Sequence, residues 1–335
     1  AYRVATQNAV ILQKNQRQKA QTLPTVGDID QDGNTITQAD VDATICANTR
    51  KHQFRALLHN LYEGKMSKSH YDWLHTREYR WLSPEDQKIF DNAIHLFDTN
   101  EQKDLYNLTR LAELNRTEPA VRLVAEHKYE KSKKAPAKDF EGVQSELILC
   151  KVAPVMLRKN IYTECGLANS SRGTVYDFLF DDHQTPGKDL PTAVLVDFPD
   201  YRGPRWSQNA PPTVVPVGLA TAHHNSDENQ TRINFPLDLA YGLTVYKSQG
   251  LTLSKVVLHL QTDEGQQGGR TYVGMSRVRD INDLCLRSAT SIQYEYFSNI
   301  WLGSIGNLKK GWKTRTKELA RLKGIAGQTA NKYNP

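Results

Sequence analysis

Tyr241-Gly242-Leu243-Thr244-Val245-Tyr246-Lys247-Ser248-Gln249-Gly250-Leu251-Thr252-Leu253 and, further on, Tyr272-Val273-Gly274-Met275-Ser276-Arg277-Val278-Arg279 carry most of what this sequence says about its fold. In the first stretch Thr244, Tyr246, Lys247, Ser248 and Gln249 set two hydroxyls, a phenol, a cation and an amide beside Gly250, where backbone can approach a ligand closely. That inventory suits contacts to phosphates and bases. The segment 251–260 that follows holds Leu253, Val256, Val257, Leu258 and Leu260, a short apolar run that predicts a buried strand of a parallel sheet. The polar cluster therefore stands at a loop-to-strand junction on a rigid scaffold. Arg277 offers an always-charged, forked guanidinium suited to the charge that develops on a transferring γ-phosphate. A lone Lys-Ser-Gln-Gly is ordinary loop composition and a lone Ser-Arg-Val-Arg an ordinary basic face; the information lies in their order and spacing.

Other stretches fall in register with these. Leu12-Gln13-Lys14-Asn15-Gln16-Arg17-Gln18 reads as L-x-x-x-x-R-Q; Phe54, Leu57, Leu58 and Gly64, then Trp73, Leu74 and Arg77, form a helical pattern. Leu96-Phe97-Asp98-Thr99-Asn100 with Asn107 follows, and then Pro154-Val155-Met156-Leu157-Arg158-Lys159-Asn160 with Gly166-Leu167-Ala168-Asn169-Ser170-Ser171-Arg172-Gly173. Taken in order, these elements resemble DNA helicases of the Pif (petite integration frequency) and RecD type, superfamily 1B, over residues 10–290, and specifically their C-terminal half.

The resemblance implies an α/β fold: the second RecA-like, parallel-sheet lobe of a P-loop-type helicase, with an inserted small β-barrel. The expected division is 1–145 for the first part of the lobe, 146–228 for the barrel, 229–292 for the rest of the lobe and 293–335 for a basic tail. Such a motor moves 5′ to 3′ on single-stranded DNA with ATP and Mg²⁺, and its relatives serve repair, recombination or telomere maintenance. By the same resemblance Arg17 and Arg277 are the catalytic arginines at the γ-phosphate, and Gly250 lies close to the nucleotide. Thr99, Asn100, Asn169, Thr244, Tyr246, Lys247, Ser248 and Gln249 hold the DNA strand, mostly through phosphates. A nuclear, otherwise cytosolic, location goes with that reading, and not secretion.

Three departures stand against it. Tyr246 occupies a position where many relatives carry histidine. Ala168-Asn169-Ser170-Ser171-Arg172-Gly173 replaces V-N-G-x-x-G, placing Ser170 where a flexible glycine is expected. No G-x-x-x-x-G-K-[ST] phosphate loop occurs in the 335 residues, so ATP and Mg²⁺ would be held mainly by a first RecA-like lobe, expected upstream in the same polypeptide. The start at a residue other than methionine is expected of a fragment. Alone, the chain is expected to be inactive as an ATPase. The competing reading is a catalytically dead, single-strand-binding module, or a relic of a transposon-borne helicase.

Composition adds bounds. A formal charge of +6 fits a polyanionic partner, and 39% hydrophobic residues suffice for a large core. Cys46, Cys150, Cys165 and Cys285 are far apart, which indicates neither a zinc site nor a disulfide framework, and no run reaches membrane-spanning length. Asp28-Ile29-Asp30-Gln31-Asp32-Gly33 begins like a calcium loop, but position twelve is Ala39 and Asp40 comes one residue late, so an acidic loop and no metal is expected. The adjacent His223 and His224 do not converge and carry no metal expectation. Residues 21–48 read as an insertion loop, Ser83-Pro84-Glu85 as a helix start, 101–114 as a helix and 128–138 as an exposed Lys-rich linker. Short strands are expected at 147–150, 174–176, 193–196 and 214–217. The basic residues of 309–332 form a solvated helix or extend the DNA path.

Overall fold

The computed structural model describes residues 21–298 except 27, 31–33, 186–187 and 262–267. Arg17 with its surrounding motif, and the tail from residue 299, lie outside the described residues. In chain order the elements begin with α1 (Gln38–Glu63), α2 (Lys68–His75), α3 (Pro84–Lys88), β1 (Ile94–Phe97) and α4 (Asn100–Leu114). A strand-rich region follows: β2 (Val121–Val124), β3 (Glu126–His127), β4 (Glu146–Leu149), β5 (Pro154–Leu157), β6 (Arg172–Leu179), β7 (Ala193–Asp197), β8 (Val214–Val217), β9 (Ala220–His224), β10 (Asp227–Asn234), β11 (Leu237–Leu239) and β12 (Gly242–Thr244). The last elements are β13 (Val256–His259), α5 (Gly268–Met275), β14 (Leu284–Arg287) and α6 (Tyr294–Ser298). Among the described residues two compact units result, one of 21–98 with 248–298 and one of 99–247.

The first unit holds the expected parallel sheet. β1 pairs with β13 (Ile94↔Val256, Leu96↔Leu258) and β13 with β14 (Val256↔Leu284, Leu258↔Leu286), all parallel. Val256, Val257 and Leu258 are buried in succession, the signature of a strand covered on both faces. One side packs Val257 and Cys285 against Leu82 and Phe90. α3 starts as its sequence indicates: the Ser83 hydroxyl accepts from Asp86 N at 3.1 Å, with Pro84 in the first turn.

The expected loop over 21–48 gives way to helix from Gln38. Thr37 and Asp40 form a reciprocal capping box, each side chain accepting the other's backbone N–H. A polar, Asp- and Thr-rich composition concealed this start, because the first turns of α1 face solvent and carry little apolar periodicity. α1 ends at Gly64, whose φ of 69° closes the helix in the left-handed region. Arg50 anchors α1 to the 276–283 segment through both oxygens of Asp280, at 2.8 and 2.9 Å.

The second unit is mostly antiparallel. Five strands run in the order β11-β5-β6-β7-β8, three in the order β3-β10-β9, and β2 pairs with β4. β2, β4, β5, β7, β8 and β11 enclose one apolar core, which includes Leu123, Leu149, Val155, Leu157, Val196 and Leu237. The strand stretches expected from the sequence are all present, each within a residue or so at its ends apart from β6, which is longer. The unit spans 99–247, and Leu111 of α4 and Leu239 belong to its core. The Lys-rich 128–138 segment is not a free linker. The wholly buried Arg232 donates to the carbonyls of Ser132 and Ala135, at 2.6 and 2.7 Å, and its guanidinium stacks 4.1 Å from the Phe140 ring.

Ser170 resolves one departure in the sequence. It adopts a φ of 77° and keeps the turn, its N–H donating to Leu157 O at 2.9 Å. Gly173 of the same pattern is needed as glycine: a Cβ there would lie 2.6 Å from Asp197 O.

Candidate functional site

Within the 99–247 unit the first signature stretch is set by a splint. Asn107, on α4 and buried, donates to the carbonyls of Leu239 and Gly242 at 3.1 and 3.2 Å and accepts from Gly242 N at 2.7 Å. Its amide is engaged in holding β12 in place. β12 then passes into the 3₁₀ turn Val245–Ser248, where Thr244 Oγ1 accepts from Lys247 N at 3.4 Å. Thr244 is buried, so its hydroxyl shapes this turn. Tyr246 stands 58% exposed at the same turn. Lys247 is half-buried, and its ammonium is held below the usual lysine value by burial first, then by the charges of Arg158 and Lys103, with Asp238 opposing.

Thr99 is the N-cap of α4, its hydroxyl accepting from Gln102 N at 3.3 Å, and Asn100 is exposed beside it at the helix start. The helix N-terminus thus offers its partial positive charge next to both residues. Asn169 is exposed on the Ser170 turn, its own N–H donating to Asn160 Oδ1 at 2.7 Å.

Within the other unit lie Ser248, Gln249, Gly250 and Arg277. Arg277 is only 8% exposed, and its guanidinium serves acceptors nearby in the fold. Nε donates to Val273 O at 2.7 Å, Nη2 to Ser276 Oγ at 2.7 Å and Nη1 to Ser248 O at 3.2 Å. Its carbonyl accepts from Leu253 N at 3.0 Å. The arginine therefore ties the end of α5 to the 248–253 loop, bringing the two signature stretches together. Gln249 and Gly250 are exposed on that loop, and Gly250 has a φ of 85° with open space where a side chain would be. Ser248, by contrast, is fully buried. Arg279, two positions on, is exposed.

Sequence reasoning missed Lys103, Arg158 and Asp238, which lie close together in the 99–247 unit. Lys103 Nζ is 3.4 Å and Arg158 Nη1 3.9 Å from Asp238 Oδ2. Their one signal was Asp238 interrupting the apolar Phe235–Ala240 stretch. Asp40, the late acid of the calcium-like loop, is committed to the α1 capping box, and Asp30 accepts from Asn34 N at 2.8 Å. His223 Nδ1 lies 3.0 Å from Glu228 O, while His224 packs edge-on against Phe140, so the pair diverges. Among the described residues no group of His, Cys, Asp or Glu is arranged to hold a metal, and no helix is long and apolar enough to cross a membrane.

No family model matches the chain. It is 34% identical over 148 residues to the ATP-dependent DNA helicase PIF1 of Danio rerio, covering 44% of this chain and 20% of that protein. It is 27% identical over 236 residues to the ATP-dependent DNA helicase Pif1 of Bdellovibrio bacteriovorus, covering 70% of this chain and 46% of that one. The chain thus spans less than half the length of these relatives. Among solved structures it resembles the Pif1 helicase of Candida albicans (TM-score 0.54, 24% identity, 71% of this chain and 54% of that one). It also resembles a Bacteroides Pif1 helicase in complex with ADP-AlF3 and single-stranded DNA (TM-score 0.52, 21% identity, 78% and 54%). In sequence the chain is thus similar to ATP-dependent Pif1 DNA helicases over part of its length, and in fold to solved Pif1 helicase structures.

Proposed function

We propose that this chain supplies the strand-gripping, arginine-bearing C-terminal part of an ATP-dependent DNA helicase that moves 5′ to 3′ on single-stranded DNA in the nucleus. The observation that carries this is the joining of the two signature stretches by Arg277 on a parallel α/β scaffold, with Tyr246, Gln249 and Gly250 left exposed. In this reading Thr99, Asn100, Asn169, Tyr246, Lys247 and Gln249 hold the strand, while Thr244 and Ser248 shape the loop that presents them. Gly250, Arg277 and Arg17 serve the nucleotide. ATP and Mg²⁺ bind mainly to a first RecA-like lobe carrying the phosphate loop that this sequence lacks. The test is DNA-stimulated ATP hydrolysis by the chain alone and by the chain joined to a Pif1-type first lobe. Activity only in the joined protein supports the reading, and activity in the isolated chain refutes the missing-lobe premise.

One observation favours a second reading. The Arg277 guanidinium is engaged on all three nitrogens by groups of its own unit, as a purely structural arginine would be. On that reading the chain is a single-strand-binding module without turnover, and the joined protein stays silent as an ATPase while binding DNA in a salt-sensitive way.

A further inference from the structure

Lys103 in the first turn of α4 and Asp238 on β11 are 8% and 7% exposed, unusually deep for charged residues. The Lys103 ammonium lies 3.4 Å from Asp238 Oδ2 and 2.7 Å from the half-exposed Asp104. Arg158, placed directly after β5 by its N–H bond to Pro236 O at 2.8 Å, brings Nη1 to 3.9 Å from the same Asp238 oxygen. Its Nε is buried and has no hydrogen-bond partner among the described residues. Lys247 joins the group from the 245–248 turn, close enough that Arg158 and Lys103 both disfavour its charge. Two cations therefore share one interior carboxylate, and the field of both reaches Lys247 on the neighbouring turn. Like charges brought together away from water repel, and a buried donor without an acceptor adds its desolvation cost. An anion entering among them would relieve both.

We propose that Lys103 and Arg158, with Lys247 from the neighbouring turn, form a seat for one phosphodiester of a bound single strand, with Asp238 holding Lys103 and Arg158 in the unbound chain. The inference rests on the strand-binding part of the proposed function and adds Lys103, Arg158 and Asp238, which lie outside the signature stretches. Arg158 supplies the forked donors that suit phosphate oxygens, Lys103 and Lys247 supply point charges, and Asp238 competes with the phosphate for Lys103 and Arg158.

The sign of the Asp238 effect separates this from an internal ion cluster that only stabilises the fold. The experiment is fluorescence anisotropy of a labelled oligothymidylate with the full chain over a range of salt concentrations, each variant's folding being checked by its urea midpoint. R158Q and K103Q each weaken binding several-fold at low salt and lower the slope of log K against log salt by about 0.7, the value for one phosphate on a single strand. K103R keeps the charge and restores most of the binding. D238N tightens binding several-fold, because the competing carboxylate is gone. Parental affinity and slope in R158Q and K103Q, or weaker binding by D238N, would overturn the seat while leaving strand binding intact. No binding by the parent chain would overturn both this inference and the function on which it rests.

Discussion

Ser170 is held at a φ of 77°, where the Cβ of an L-residue crowds its own carbonyl at a cost of about 1–2 kcal/mol. Ser170→Gly removes that crowding and loosens the unfolded chain, so the net gain in stability is about 0.5–1 kcal/mol, measurable as a raised urea midpoint. An unchanged or lower midpoint means the serine is not strained. His259 works through pH. Burial, with the positive charge of Arg287 adding to it, holds its imidazole down to about 4, and its Nε2 lies 2.9 Å from His95 Nδ1. The unfolded histidine titrates near 6.5, so below that value the unfolded chain takes up a proton that the folded one refuses. Stability is therefore lost as pH falls from about 6.5 toward 4, by about 2 kcal/mol at pH 5 relative to neutral pH. His259→Gln should flatten that part of the stability profile, and a profile as steep as the parent's would assign the loss to other groups.

At the scale of elements, two side chains decide where the signature stretches lie. Asn107→Ala leaves the Leu239 and Gly242 carbonyls and the Gly242 N–H without their partner, at a cost of about 2–4 kcal/mol by urea unfolding. Its loss of strand affinity should follow from a displaced 242–247 segment. Asn107→Asp tests this, because it keeps an acceptor for Gly242 N while removing both donated bonds. Arg277→Ala unties α5 from the 248–253 loop and costs about 2–4 kcal/mol, since Ser248 O and Val273 O lose charge-assisted bonds. In the protein joined to a first lobe the same change is expected to abolish ATP hydrolysis. Full stability of Arg277→Ala would remove the clamp, whereas normal turnover would remove the role at the phosphate proposed for it.

For the whole molecule, the formal charge of +6 sets a salt-dependent attraction to any polyanion, and the position of each cation decides its share. Lys247→Ala should weaken single-strand binding and lower the salt slope by about 0.7, because one counterion fewer is released. A slope equal to the parent's takes Lys247 out of the phosphate path. The division into units at 98/99 and 247/248 puts Thr99, Tyr246 and Lys247 in one unit and Gln249, Gly250 and Arg277 in the other. Residues proposed for the strand thus lie mainly in one unit, and those proposed for the nucleotide in the other.

The order of motifs from Phe54 to Arg279, the parallel strand at 256–259 and the short strands of 146–217 were legible in the sequence. Each depends on a local pattern, an apolar run or a fixed spacing, that survives in one dimension. The start of α1 was hidden because a capping box in a polar segment leaves no apolar stripe. What side chains do at the site depended on long-range contacts, and no local pattern encodes those. Asn107 meets Gly242 across 135 positions, Lys103 meets Asp238 across 135 and Arg277 meets Ser248 across 29. The sequence by itself therefore determined which residues belong to the motifs and the class of fold that carries them. Only the tertiary structure decided which motif residues are buried as splints and clamps and which face solvent, because burial and hydrogen-bond satisfaction are properties of elements packed together.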